Sequence, residues 1–423
     1  MLPSGAMAVR KRSPLGRNYQ RLWMANAVSV AGDGVTVTAG PLLAASITHD
    51  PLLVAGALFA QQLPWLIFAL FSGALVDRLE PARLMVIVDL LRAAAIGGLA
   101  ASVLAGTAHL AALYGALFIL GLGATVSNTA ALSLPPLLVG PADLIRANAG
   151  LQGVQLVGVD LVGPPLGAYL FVLAAGLPFA FDAATFVVGA ALIASIRRRR
   201  PPDPVPDHTG LRREIVEGIR WLLAHPGMRM LAVTLCVMNI MLGSTLAILV
   251  LYVRARLGLG AIGYGTLLAC SAAGGVIGTV IVQRLLARFD ASLLLRAGLI
   301  IECANYVSLA LARRPWVAAV TLVVWGVHNG VWNMVTVTLR QTVVPEQLRG
   351  RVNSVYYTFA IGGLALGDVA GGLLARGLGL TAPFWVAAVA IAVLAMLAWR
   401  LFSSDRLAAE AGAGMSPVQS GSL

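Results

Sequence analysis

Gly73-Ala74-Leu75-Val76-Asp77-Arg78-Leu79-Glu80-Pro81-Ala82-Arg83 is a short polar break in a chain that is otherwise apolar over long stretches. On its amino side, residues 52–76 form an uncharged apolar run. On its carboxyl side, 84–106 form another, interrupted only by Asp89 and Arg92. Each run exceeds the roughly 20 residues that a helix needs to cross a bilayer. The break therefore reads as a tight turn at a membrane surface, joining two antiparallel spanning helices.

The same pattern extends in both directions. Apolar spans fall at 20–47, 52–76, 84–106, 109–134, 148–174, 177–196, 229–253, 260–284, 291–312, 315–339, 351–375 and 381–402. Across the 423 residues 59% are hydrophobic and 11% charged, and the mean hydropathy is +0.86. A soluble domain carries about 25% charged residues, so no water-soluble surface can be built from this composition. Runs this long also exclude an outer-membrane barrel, whose strands alternate. The fold class is an all-α membrane protein of twelve transmembrane helices.

A polar segment divides the spans six and six. Expected units are an amino arm at 1–19, a first bundle at 20–196, a linker at 197–228, a second bundle at 229–402 and a tail at 403–423. The linker opens with Arg197 to Arg200 and a proline-rich stretch, then runs from Leu211 to Leu223 with Ile215, Ile219 and Leu222 on one helical face. Two readings stand for that last part, an amphipathic helix at the membrane surface or a solvated connector. The halves match at an offset of 204 residues: Pro141 and Leu144 with Pro345 and Leu348, Gly163 and Gly167 with Gly367 and Gly371. Equal placement relative to the spans favours an internal repeat.

The net charge of +12 comes almost wholly from arginine, Lys11 being the one lysine. In a soluble protein it would point to nucleic acid; here the arginines sit between spans and report topology. With both termini inside, 24 basic residues fall on the cytoplasmic side and five on the other. Arg-for-Lys and Ala/Gly-rich usage points to a GC-rich bacterial genome, hence the inner (plasma) membrane. Without a glycine-rich loop before a lysine there is no phosphate-binding motif for ATP. Scattered histidines and the lack of a G-x-S-x-G elbow leave hydrolase chemistry unsupported, so an enzyme is not expected. Cys236, Cys270 and Cys303 lie inside apolar runs as packing residues, and no metal-ligand spacing occurs.

The opening stretch, G-x-L-x-D-R with a later arginine, resembles the signature loop between helices 2 and 3 of the major facilitator superfamily. Asp89-Leu90-Leu91-Arg92-Ala93, Leu144-Ile145-Arg146-Ala147-Asn148 and Pro345 to Val352 are similar to segments of its enterobactin-exporter and macrolide-efflux branch. The resemblance implies two pseudo-symmetric six-helix bundles, alternating access, no cofactor, and a proton gradient as energy source. It also implies a conformational latch at Gly73, Asp77, Arg78 and Arg83, which Asp89 and Arg92 support as an i, i+3 pair. Glu80 and Pro81 depart from the usual pattern. In span 5, Gly163, Pro164 and Gly167 are similar to an antiporter element; close helix packing by small residues is the alternative.

Acids inside a membrane need a partner, a cavity or a proton. Asp33 in span 1, Asp160 in span 5 and Asp368 in span 11 are the candidates for proton coupling, with packing roles as the alternative. Asp182 is placed near the outer face and is expected to snorkel, and Glu302 to be either in a buried pair or a protonated, lipid-shielded acid rather than a coupling residue. Gln61 and Gln62 on span 2, with Trp325, His328, Asn329, Trp332 and Asn333 on span 10, suit an amphipathic substrate held by stacking and hydrogen bonds. Interhelical bonding is the alternative there, and His328 alone reads as a packing histidine. The resemblance points to a monomeric exporter of small molecules by proton antiport; a lipid transporter of the same fold, with Arg92 as its phosphate ligand, and a transport-inactive sensor are the other readings.

Overall fold

A computed structural model describes residues 15–78, 80–196, 211–345, 348–399 and 402; for 69–78, 132 and 211–215 the backbone alone is described. Among the described residues every regular element is a helix. The first six crossings are α1 (Arg17–Ile47), α2 (Pro51–Arg78), α3 (Pro81–Leu104), α4 (Leu110–Ser133), a broken fifth, and α8 (Leu177–Ala194). The short α5 (Pro135–Leu138) leads into the fifth, which consists of α6 (Leu144–Gln155), a π-helical segment (Leu156–Val162) and α7 (Gly163–Leu173). After α9 (Leu211–Ala224) come α10 (Pro226–Arg256), α11 (Ala261–Leu286), α12 (Ala291–Leu311), α13 (Pro315–Val343), α14 (Arg349–Leu378) and α15 (Ala382–Ala398). Ten spans satisfy both length and apolarity for a membrane crossing. The remaining two are α13, whose Asn329, Asn333 and Arg340 dilute its apolar run, and the 17-residue α15.

Corresponding helices of the halves pack alike. In the first half α1 lies on α7 and α8, α3 on α4 and α8, and α2 on α4; in the second α10 lies on α14 and α15, α12 on α13 and α15, and α11 on α13. Glycine sets the closest of these crossings. A Cβ on Gly163 would lie 2.5 Å from the Gly34 Cα of α1, and one on Gly167 would lie 2.5 Å from the Val35 carbonyl. In the second half Gly363 would meet the Cys236 carbonyl of α10 at 2.9 Å, and Gly367 and Gly371 lie against Ile240 and Ser244. The glycines that match at an offset of 204 thus fill equivalent crossings, where small residues let backbones touch and dispersion holds helices together in lipid.

The bundles meet along two seams, α2 with α14 and α7 with α11. We call the membrane face that carries α9 the linker face, and the opposite one the far face. At the far face Asp50 pairs with Arg376 at 3.5 Å, and Arg254 donates to the Ala45 carbonyl at 3.4 Å. Gly372 approaches Leu52 there so closely that a Cβ would sit 2.8 Å from its Cα. At the linker face α9 lies on α14: Glu217 binds Arg351, a Cβ on Gly218 would be 2.9 Å from the Arg351 carbonyl, and Leu222 is buried while Ile219 is exposed. The side chain of Ile215 is outside the described residues, as are the arm before Leu15, Arg197 to Gly210 and the tail after Phe402.

Candidate functional site

Two cavities open within the linker-face half of the molecule. One lies in the first bundle, has a volume of about 170 Å³, and is bordered by Asp33, Gln61, Asp89 and Arg92. Asp33 stands beside Gly34, where α1 touches the π segment, and Arg92 reaches it from α3 to form an ion pair. Arg92 also lies 3.9 Å from Asp89, one turn away on its own helix, and 4.0 Å from the centroid of the Phe186 ring. Asp89 and Arg92 are each 3% exposed. They were expected to brace the turn after α2; the tertiary packing instead sets Arg92 between Asp33 and Asp89 inside the first bundle, since a buried guanidinium is stable only where carboxylates and an aromatic face replace water.

Asp182 joins the neighbourhood. It was expected to snorkel; instead it is fully buried, accepting from Thr36 at 2.6 Å and from Thr185 at 3.3 Å. Gly32 makes this possible, because a Cβ there would overlap the Thr185 and Asp182 side chains. Thr185 at i+3 from Asp182 was a readable signal for an internal role. Thr36 was not, because it comes from a different helix.

The second cavity, about 490 Å³, lies between the bundles. Its first-bundle wall carries Leu156 and Asp160, and its second-bundle wall Asn239, Glu302, Asn329 and Asn333. Toward the linker face it passes Arg340, which stacks over Tyr356 at 4.5 Å and donates to Asn353 at 3.2 Å, and the exposed Tyr357. Asn239, Arg340, Tyr356 and Tyr357 were not anticipated: Asn239 is an isolated polar residue on α10, and Arg340 on α13 and the two tyrosines on α14 lie near helix ends, where polar residues are ordinary.

The seven residues expected to form one substrate site do not. Trp325, Asn329, Trp332 and Asn333 border the larger cavity, whereas Gln61 faces the smaller one and the Gln62 side-chain amide oxygen is buried without a hydrogen bond among the described residues. The cause is the approach of α2 to α4, where the Gln61 backbone touches Gly121 and turns that face into its own bundle. Trp325, His328 and Trp332 are each less than 9% exposed. His328 Nε2 lies 2.7 Å from Glu302 Oε2, at ion-pair distance though off the angle of a hydrogen bond, and its ring is 5.7 Å from that of Trp332. Glu302 is thus in a buried pair, one of the two roles its sequence context left open, and His328 packs inside the second bundle.

Asp160 occupies the π segment. Pro164 and Pro165 have no N–H to offer the carbonyls four residues back, Asp160 and Leu161, so the helix widens and the Gly163 N–H reaches the Gly158 carbonyl instead. The wider turn presents Asp160, an exposed residue, to the larger cavity. Asp368 is fully buried in α14, and neither of its carboxylate oxygens has a hydrogen-bond partner among the described residues. Of the latch residues, Arg83 pairs with Glu80 at 3.0 Å across one helical turn. Gly73, Asp77 and Arg78 form the last turns of α2 rather than a loop, and their side chains lie outside the described residues.

Two pseudo-symmetric bundles of six spans around a cavity that reaches one membrane face define the class: a multi-pass membrane transporter of the major facilitator fold. More particularly, the chain belongs to the transmembrane secretion effector family, whose model matches residues 11–418. It is similar to the multidrug efflux pump Tap of Mycolicibacterium fortuitum, 28% identical over 382 residues that cover 87% of this chain and 91% of that protein. It is also similar to the enterobactin exporter EntS of Shigella boydii serotype 4, 25% identical over 373 residues and 85% of each chain. Among solved structures the fold is shared with a bacterial homologue of the iron transporter ferroportin in its inward-facing state, at a TM-score of 0.73 and 18% identity over 93% of this chain and 100% of that one. The nucleoside transporter NupG shares it at 0.71 and 13% identity over 92% and 100%. These are transporters and not enzymes.

Proposed function

We propose that this protein exports small amphipathic molecules, such as drugs, siderophores or secondary metabolites, across a bacterial inner membrane in exchange for protons. The observation that carries the reading is the 490 Å³ cavity between the bundles, with indole rings, asparagines and Asp160 on its walls and its length toward the linker face. Its size falls within the roughly 300–1,000 Å³ of small-molecule sites. The excess of arginine on the linker face supports a cytoplasmic placement of that face and of both termini. A cavity on that side and a far face held by Asp50–Arg376 and Arg254–Ala45 describe a cytoplasm-facing state.

Coupling is assigned to the acids, with Asp33 first, Asp160 second and Asp368 third. In the first bundle one guanidinium faces two carboxylates, Asp33 and Asp89, with Asp182 held close by on the Thr36 hydroxyl, so the charge of the cluster changes when a proton or a cationic group arrives. One charge falling through 100 mV releases about 2.3 kcal/mol, enough for a gradient of more than tenfold. The names of the efflux pump and the exporter support the direction. Against lipid transport by this site, Arg92 is already engaged by two carboxylates and the Phe186 ring and is not open to a phosphate. The protein is proposed to work as a monomer, with no cofactor.

The test is substrate-triggered proton movement in proteoliposomes, using macrolides, tetracyclines, dyes and siderophores. Proton release on adding one compound, lost in Asp33→Asn, is expected. Silence across the panel with intact protein would overturn drug antiport.

A further inference from the structure

α12 and α15 pack antiparallel on the outside of the second bundle and leave a furrow of about 650 Å³ between them at the linker-face end. Its floor is the fully buried Leu299, flanked by the small side chains of Cys303, Ala392 and Ala395. Ile300 and Met396, 54% and 70% exposed, stand up as its walls. Small residues between larger ones leave space that a bulkier pair would fill, so the furrow is a property of this side-chain pattern. Because it faces the bilayer, an alkyl chain fits it by shape and by chemistry.

The mouth of the furrow is different in kind. Arg296 lies five residues inside the start of α12, about 8 Å along the helix, at the depth where a bilayer changes from acyl chain to headgroup. Its guanidinium is 5.1 Å from the ring centroid of Trp399, which itself lines the furrow. The Arg296 Nε is buried and makes no hydrogen bond. Ser292 donates to the Phe402 carbonyl, which ties Phe402 to the start of α12 beside the arginine and the indole. A tryptophan at the interface, a cation with an unused donor and an apolar slot behind them are the three elements that recognise a headgroup phosphate and its chain.

We propose that this furrow binds one anionic phospholipid of the linker-face leaflet, with its phosphate on Arg296 and an acyl chain along Leu299, Cys303 and Ala395. A net negative headgroup is preferred over a zwitterionic one because the latter brings its own ammonium, which competes for the phosphate and is repelled by the guanidinium. The lipid here is a bound structural ligand, and the site is separate from both cavities described above. The inference requires that the bundle sits in a bilayer and is independent of what the transporter carries.

The experiment is quenching of Trp399 fluorescence by lipids with brominated acyl chains, in phosphatidylcholine vesicles containing the whole protein. The signal is the part of the emission that Trp399→Phe removes. One arginine near the surface contributes about 1 kcal/mol toward an anionic lipid, so brominated phosphatidylglycerol should reach half-maximal quenching at about a fivefold lower mole fraction than brominated phosphatidylcholine. Arg296→Gln should erase that difference, and Arg296→Lys should retain part of it. Ala395→Phe, which fills the furrow but keeps the charge, should weaken quenching by both lipids. Equal curves in the unaltered protein, or a preference that survives in Arg296→Gln, would overturn the proposal. If Arg296→Gln does not fold, full quenching in Ala395→Phe overturns it equally.

Discussion

The guanidinium of Arg92 on α3 is bonded to the carboxylate of Asp33 on α1, joining two helices in the middle of the first bundle. Arg92 is 4% exposed at its side chain and Asp33 29%, so the pair is screened on one side and wetted by the small cavity on the other. Removing one partner of a buried pair costs about 3–5 kcal/mol, because the other charge is stranded. Arg92→Gln is therefore expected to lower the melting temperature in detergent, because it strands the buried Asp89 as well as the partly wet Asp33. Asp33→Asn combined with Arg92→Gln should be less damaging than Arg92→Gln alone. A double variant no more stable than the single one would show that the pair does not hold the bundle.

The glycine crossings predict a sharp difference between positions of the same residue type. A side chain on Gly163 meets the backbone of α1, which cannot swing away, and overpacking of this kind costs about 1–3 kcal/mol. Gly163→Val is expected to reduce the folded yield, measured as the monodisperse fraction on gel filtration. Gly98→Ala is expected to be neutral or slightly stabilising, because nothing lies within 4 Å of its added Cβ. Equal outcomes at the two sites would contradict the crossing.

The far-face pair of Asp50 and Arg376 is largely open to solvent, with side chains 25% and 59% exposed. Such pairs contribute at most about 1 kcal/mol. Asp50→Asn should shift the balance between access states by no more than about fivefold, toward opening of the far face. Spin-label distances between sites near Ile47 and Leu378 would report this shift. The exchange Asp50→Arg with Arg376→Asp should restore the original distribution.

Glu302 and His328 form a cross-helix unit between α12 and α13. A double-mutant cycle with Glu302→Gln and His328→Ala, read by thermal unfolding, should give a coupling of about 1–3 kcal/mol, the range for residues in direct contact. Trp332→Ala removes a ring from the same cluster and should cost about 3–5 kcal/mol. A coupling near zero would mean that the two side chains pack without interacting.

Much of this was legible in the order of residues. The length of apolar runs between Gly73–Arg83 and the other polar breaks determined that the chain crosses a membrane twelve times in two halves, because burying a backbone in lipid demands a helix of a minimum length. The spacing of Gly163 and Gly167 from Gly367 and Gly371 marked the repeat, whereas the widening of the fifth crossing before Pro164-Pro165 emerged only in the structure.

What each acid touches was not legible, because that depends on how helices far apart in sequence are rotated against one another. Asp33, Asp89 and Asp182 look alike as carboxylates in apolar runs. Packing gives the first two an arginine and the third two hydroxyls, and it leaves Asp368 without a partner. The same rotation separated Gln61 from Asn329, placing them in different cavities. One-dimensional pattern determines which segments are buried in the bilayer, whereas backbone contacts at a few glycines determine which side chains meet there.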